Sequence, residues 1–299
     1  MATLYTRAES NTRKTWLLIS AFFILIIALG WIFSYLLDSY IILIVCVIIS
    51  ILMSFGSYWH SDKIVLKLSK AVSVEKKDNP ELYRVVENLC IAAGLPLPRI
   101  YIINEPQPNA FTTGRNADHA IIVVTRGLLE KLDRSELEGV IAHELAHIGN
   151  RDILLGTVIV ILVGIVAMLS ALFLRISFRG GMRRRNSRGS AGAIIMLLGI
   201  VAAILAPIAA SVIRLAISRK REFLADASGA LLTRFPEGLA RALEKISGDQ
   251  NPLKVANNST SHLYISSPFK GSQSRNWLTK LFMTHPPIEE RIKVLRKMS

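Results

Sequence analysis

The stretch Val140-Ile141-Ala142-His143-Glu144-Leu145-Ala146-His147-Ile148-Gly149 decides how the rest of the chain is read. Its histidines are four residues apart, and residues at that spacing share one face of an α-helix. Both imidazoles can then turn toward one point. Glu144 lies about 100° round the helix from His143, within reach of a water held at that point. The pattern is the H-E-x-x-H of zinc hydrolases, two nitrogen ligands and a general base on one helix. Asp133 and Ser135 are N-cap candidates for that helix, and Ser135 with Glu138 has capping-box spacing. Gly139, Ala142 and Ala146 are small enough to let neighbours pack close.

A catalytic zinc takes three protein ligands and keeps a position for water, so a third His, Asp, Glu or Cys must reach the same point. Glu222 is the strongest candidate. Two apolar runs, Ile153 to Leu174 and Ala191 to Ile217, follow the H-E-x-x-H stretch. A pair of spans returns the chain to the side it left, which brings Glu222 back beside His143. Asp226 is one helical turn further on, placed to accept the outer N–H of a ligand histidine and fix its tautomer.

Composition agrees with spans. The 299 residues are 51% hydrophobic and only 19% charged, with a mean hydropathy of +0.40, too apolar for an ordinary soluble protein. Trp16 to Leu37 and Tyr40 to Trp59 carry no charge, and each is long enough to cross a hydrocarbon core of about 30 Å. Arg13 and Lys14 before the first and Lys63, Lys67 and Lys70 after the second place the N-terminus and the following domain in the cytoplasm. Net charge is +14, but the run from Arg175 to Arg188 holds six arginines and no acid, leaving +8 elsewhere. That loop reads as a contact for anionic lipid headgroups, and nucleic acid is not an expected partner. Cys46 and Cys90 are far apart and imply no disulfide framework.

The expected organisation is a cytoplasmic N-terminus (1–15), a transmembrane hairpin (16–37 and 40–59), the first part of a protease domain (60–152), a second transmembrane pair (153–174 and 191–217) around the arginine loop, and the second part of the protease domain (218–299). Within it, Asn79-Pro80 opens a helix that Gly94 stops. Arg99 to Ile103 and Ala120 to Thr125 read as strands. Asn109 to Arg115 is turn-rich and a candidate to continue the sheet, and Pro236 to Ile246 reads as a helix. Asp249 to Lys270 is read as a mobile loop, His119 and His262 as exposed, and the last segment as a basic helix.

His143-Glu144-Leu145-Ala146-His147, followed after two apolar segments by Glu222-Phe223-Leu224-Ala225-Asp226, resembles the HtpX family of membrane zinc metalloproteases, relatives of the CAAX prenyl endopeptidases. Asn109-Ala110-Phe111 with Gly114, Thr284-His285-Pro286-Pro287 and the N-terminal hairpin resemble it too. The resemblance implies an α-helical multi-pass protein of the bacterial inner membrane with a cytoplasmic α+β, zincin-like (gluzincin) domain carrying a small β-sheet. It implies one Zn2+ held by His143, His147 and Glu222, Glu144 as the catalytic base, and substrates that are misfolded or damaged membrane proteins or unfolded polypeptides. On that topology the arginine loop is extracytoplasmic, against the positive-inside rule. Either spans three and four insert as a pair regardless of charge or they do not both cross; full crossing is favoured. His285 or Arg291 is the expected oxyanion donor. Backbone near Asn109 and Phe111 is expected to pair with an extended substrate. Nothing in the sequence sets an oligomeric state.

Overall fold

A computed structural model describes residues 4–36, 40–160, 219–256, 260–269 and 286–298. The arginine loop, most of spans three and four, the turn at Asp38-Ser39, and His285 lie outside the described residues.

Two long helices come first. Helix α1 (Leu4–Leu36) and α2 (Tyr40–Ser69) are 33 and 30 residues long and pack along one another. Helix α1 starts well before Trp16, and α2 runs ten residues past Trp59, because nothing between Trp59 and Ser69 breaks a helix. Among the described residues no helix is long and apolar enough to cross a membrane as an unbroken span, so the spans are not a finding of the structure. The end of α2 belongs to the following domain. Val65 and Leu66 are buried against Ile103, Phe111, Ile121 and Val123, Asp62 pairs with Arg99 at 2.7 Å, and the Arg115 guanidinium lies 4.6 Å from the centre of the Trp59 ring.

The domain's sheet has the order β1-β2-β4-β3: β1 (Val72–Ser73), β2 (Arg99–Ile103), β3 (Ala110–Thr113) and β4 (Ile121–Thr125). Strands β2 and β4 are parallel, whereas β1 and β3 are antiparallel to their neighbours. Every residue of β4 is buried, which explains its unbroken Ile-Ile-Val-Val run: one face meets the helices, the other meets the end of α2 and Tyr264. Helix α3 (Pro80–Ala93) is capped as its sequence indicates, by the Asn79 side chain at one end and by Gly94 at φ 64 at the other. A short α4 (Arg126–Lys131) leads into α5 (Arg134–Gly149), and residues 152–160 begin a further helix, α6. Helices α7 (Arg219–Thr233), α8 (Pro236–Gly248) and α9 (Ile288–Arg296) complete the fold.

Helix α5 is buried on nearly every side, by α3, α7, α8 and β3. Its N-cap is Asp133, not Ser135. Asp133 accepts from the Glu136 N–H, and the Glu136 carboxylate accepts from the Asp133 N–H. Lys245 then pairs with Glu136 at 2.6 Å, a tertiary contact that Ser135 and Glu138 lack. Gly139 is required here: a Cβ would fall 2.7 Å from the Leu239 backbone nitrogen of α8.

Candidate active site

Helix α5 carries His143, Glu144 and His147 to the point where α7 and the edge strand β3 converge. Helix α7 approaches so closely that a Cβ on Gly229 would lie 2.9 Å from the His143 backbone nitrogen. That proximity sets Glu222 against the two imidazoles. Ligand-capable atoms of His143, His147 and Glu222 all lie within 4.8 Å of one another. The two Nε2 atoms are 3.2 Å apart, close to the roughly 3.3 Å between two nitrogens on a tetrahedral zinc. Glu222 oxygens stand 3.9 Å from His143 Nε2 and 3.8 Å from His147 Nε2, a little wider.

Each histidine is backed by a carboxylate on its outer nitrogen. His143 Nδ1 is 2.9 Å from Asp226 Oδ1, both groups being buried. The approach is off the line of an ideal hydrogen bond, but the distance makes Asp226 the partner of that nitrogen among the described residues. Asp226 is itself gripped by Arg291, whose Nε and Nη2 donate to its two oxygens at 2.8 and 2.7 Å while Nη1 donates to the Ile265 carbonyl. Burial disfavours the Asp226 carboxylate, but the Arg291 charge and hydrogen bonds, with His143, outweigh it and bring the pKa down to about 2. On the other side, His147 Nδ1 is 3.2 Å from Asp152 Oδ2, and Arg221 Nε is 3.9 Å from the other Asp152 oxygen. Burial disfavours the His147 imidazolium. The Asp152 hydrogen bond and the charges of Glu222, Asp152 and Glu144 nevertheless raise its pKa to about 9.

The donor set therefore fits a divalent cation. Four buried carboxylates (Glu144, Asp152, Glu222 and Asp226) face the two guanidinium groups of Arg221 and Arg291, so acids outnumber the arginines at the cluster. A cavity of about 60 Å³ opens beside them, walled by Thr112, His147, Asp152, Arg221, Glu222 and His262 among others. That is room for water at the open side of the cluster. Glu144 is buried and accepts a 2.9 Å hydrogen bond from the hydroxyl of Thr112, which lines this cavity.

Other expectations are corrected. Arg291 is fully buried, its guanidinium bound to Asp226 and Ile265 and 3.8 Å from Glu222, which suits bracing the metal cluster rather than the oxyanion role expected of it. Phe111 is a core residue packed edge-on against Tyr264, ring centres 5.0 Å apart. Asn109 is buried too, its amide donating to the Ser266 carbonyl at 3.0 Å and accepting from the Ala110 N–H. Both side chains hold the 260–269 segment; the expected pairing concerned the backbone of this stretch. That segment is packed, with Tyr264 and Ile265 buried and the Ile265 N–H donating to the Ala110 carbonyl. His262 is likewise buried, 3.2 Å from the Gly156 carbonyl. Thr112, Asp152 and Arg221 carry no signal of these roles in the sequence.

The pattern of peptidase family M48 matches residues 76–299. The "Protease HtpX homolog" of Caldanaerobacter subterraneus subsp. tengcongensis is 45% identical over 99% of this chain and 98% of its own. The protein of the same description from Streptococcus gordonii is 40% identical over 99% of this chain and 100% of its own. The crystal structure of S. mikatae Ste24p aligns with 97% of this chain and 67% of its own at 21% identity, with a TM-score of 0.47, and adds nothing at that level. Relatives that match nearly end to end, and a family pattern that spans both the H-E-x-x-H helix and Glu222, make this chain an HtpX-type metalloprotease of peptidase family M48.

Proposed function

We propose that the chain is a membrane-anchored, zinc-dependent endopeptidase that cuts misfolded or damaged membrane proteins at the cytoplasmic face of the bacterial inner membrane. The observation that carries this is the convergence of His143, His147 and Glu222, with the Glu144 carboxylate beside them and the edge strand alongside. His143, His147 and Glu222 would hold the zinc, which would supply Lewis acidity and make a water at the site easier to deprotonate. Glu144 takes the proton from the attacking water and passes it to the departing amine. The Thr112 hydroxyl holds that carboxylate against β3 until substrate arrives. Asp226 and Asp152 set the tautomers of the two imidazoles.

Substrate binding follows from the parity of β3. The Thr125 N–H donates to the Asn109 carbonyl, so the alternation of an antiparallel pair turns the backbone groups of Ala110 and Thr112 to the outer edge. Ile265 takes the Ala110 carbonyl. At Thr112 no described residue pairs with the outer edge, and it lies beside Glu144. An extended polypeptide adds there as a strand. Recognition through the main chain tolerates many sequences, as quality control requires.

Membrane anchorage is supported by the surface of α1 and α2. Trp16, Leu17, Ile24, Trp31, Ile41 and Ile48 are all more than half exposed, an apolar belt foreign to a solvated surface. The positive-inside reading puts the protease domain in the cytoplasm, and anionic headgroups are the partner of the arginine loop. Purified protein in neutral detergent should cleave a misfolded membrane protein, lose that activity to a zinc chelator and regain it with zinc. Glu144→Gln should cost about 10²–10⁴-fold in rate while metal content stays at one ion. Full cleavage by that variant would falsify the assigned chemistry.

A further inference from the structure

A second, larger cavity of about 850 Å³ lies roughly 120° round α5 from the metal cluster. Its size falls within the range of about 300–1,000 Å³ typical of small-molecule sites. Its walls are apolar: Leu95 after α3, Ala142, Leu145 and Ala146 on α5, and Leu231 and Leu232 on α7. Leu231 in this wall is 78% exposed, so the apolar lining opens to the surface. Against these stand two arginines and no acid, Arg151 and Arg234. Among the described residues neither guanidinium has a hydrogen-bond or ion-pair partner. Both sit in the left-handed backbone region, at φ 55 and φ 52, and of the three non-glycine residues found there these are two. Each follows the end of a helix, α5 and α7, where the chain turns away.

Arg151 also stands next to Asp152, where α6 starts, and α6 leads into the apolar run read above as the third span. On that reading the cavity is at the bilayer boundary. We propose that it takes an acyl chain of an anionic phospholipid from the surrounding membrane, with the phosphate held by Arg151 and Arg234. Guanidinium forks suit a phosphate, and Asn150 and Ser228 are the only other polar side chains of the lining. The occupant would pack against Ala142 and Leu145, on the helix that carries His143 and His147. Lipid composition would thereby reach the metal cluster through α5. This inference rests on the membrane-anchored reading, and the test separates the two.

Full-length Glu144→Gln protein, which cannot destroy itself by the assigned chemistry, is reconstituted into phosphatidylcholine vesicles carrying a trace of photoactivatable lipid with a diazirine on the acyl chain. With a phosphatidylglycerol probe, crosslinks should map to the peptides containing Leu95, Leu145 and Leu231-Leu232. The Arg151→Asn/Arg234→Asn pair should lower that yield about thirty-fold, since asparagine tolerates the left-handed backbone and keeps the fold. The Arg151→Lys/Arg234→Lys pair should keep most of it, and Ala93→Trp, which fills the cavity, should abolish it. Equal yields from a phosphatidylcholine probe, an unchanged yield in the asparagine pair, or crosslinks confined to residues 16–59 and 153–217 would each overturn the proposal. Loss of the crosslink to an added unfolded peptide would give the cavity to polypeptide and overturn it as well. Flotation of the same vesicles reports anchorage separately. Protein that stays behind sinks the membrane reading, whereas protein that floats without the crosslinks sinks only the lipid site.

Discussion

His143 and His147 share one helix, yet the groups behind them differ in kind. Behind His143 stand Asp226 and Arg291, both fully buried and joined by a two-pronged contact at 2.7 and 2.8 Å. Behind His147 stand Asp152 and Arg221, at 3.2 and 3.9 Å, with the His147 side chain 16% exposed and bordering the small cavity. The inner half is assembled before any ligand arrives, since a guanidinium fork matched to a carboxylate leaves it one arrangement. The outer half keeps looser contacts where water and polypeptide must enter. One metal cluster thus combines a fixed wall with an adjustable one.

The sharpest way to break this comparison is to remove each arginine. Arg291→Met strands a buried carboxylate and is expected to cost about 3–5 kcal/mol of stability. Arg221→Met removes a 3.9 Å contact to the mostly buried Asp152 and is expected to cost less, about 1–3 kcal/mol. Thermal and denaturant unfolding in detergent, read by circular dichroism, would measure both, and equal losses would dissolve the distinction between the halves. The next test is metal affinity. Asp226→Asn and Asp152→Asn should each weaken zinc binding about 10–100-fold, with the larger loss at Asp226, as read by competition with a chromophoric chelator.

Acidity sharpens the inner half further. The Asp226 pKa is about 2 in the folded chain and about 3.9 unfolded. The folded value is the lower one, so its stabilisation is complete above about pH 4 and is lost as the pH falls toward 2. Unfolding free energy of the parent should therefore drop across that window more steeply than that of Asp226→Asn, by close to one proton. The smallest effect belongs to the outer wall. Thr112→Val keeps the shape but removes the hydroxyl that holds Glu144, and should lower kcat/KM by less than about tenfold with stability and KM nearly unchanged. A steady-state assay on a fluorogenic peptide would show it.

Much of the inner half was legible in the sequence. His143, Glu144, His147, Glu222 and Asp226 follow from helical spacing and from the return of the chain after two apolar runs. The limits of α3 follow from Asn79 and Gly94. Local chemistry set those features, so local reading found them. Arg291 was noticed, but only packing against α7 and the 260–269 segment shows that it faces Asp226. Asp152 was missed because it lies beyond the end of α5. It reaches His147 only because Arg151 adopts φ 55 and swings the chain back, a conformation that arginine does not advertise. Thr112 depends on the register of an edge strand, and His262 on the docking of a segment whose polar composition suggested a loose loop. In each case the deciding contact joins residues distant in sequence.

The unbroken course of α2 has one more consequence. Between Trp59, near the end of the apolar run, and Ser69, at the sheet, there is no hinge. Val65 and Leu66 are buried, Asp62 is tied to Arg99 and Trp59 to Arg115. On the proposed anchorage, residues 60–69 form a strut of about 15 Å between the apolar run and the sheet, so the domain cannot swing about the end of α2. The substrate edge would then meet only chains that arrive from one side, and direction of approach, rather than sequence, would separate the proteins that are cut from those that are spared.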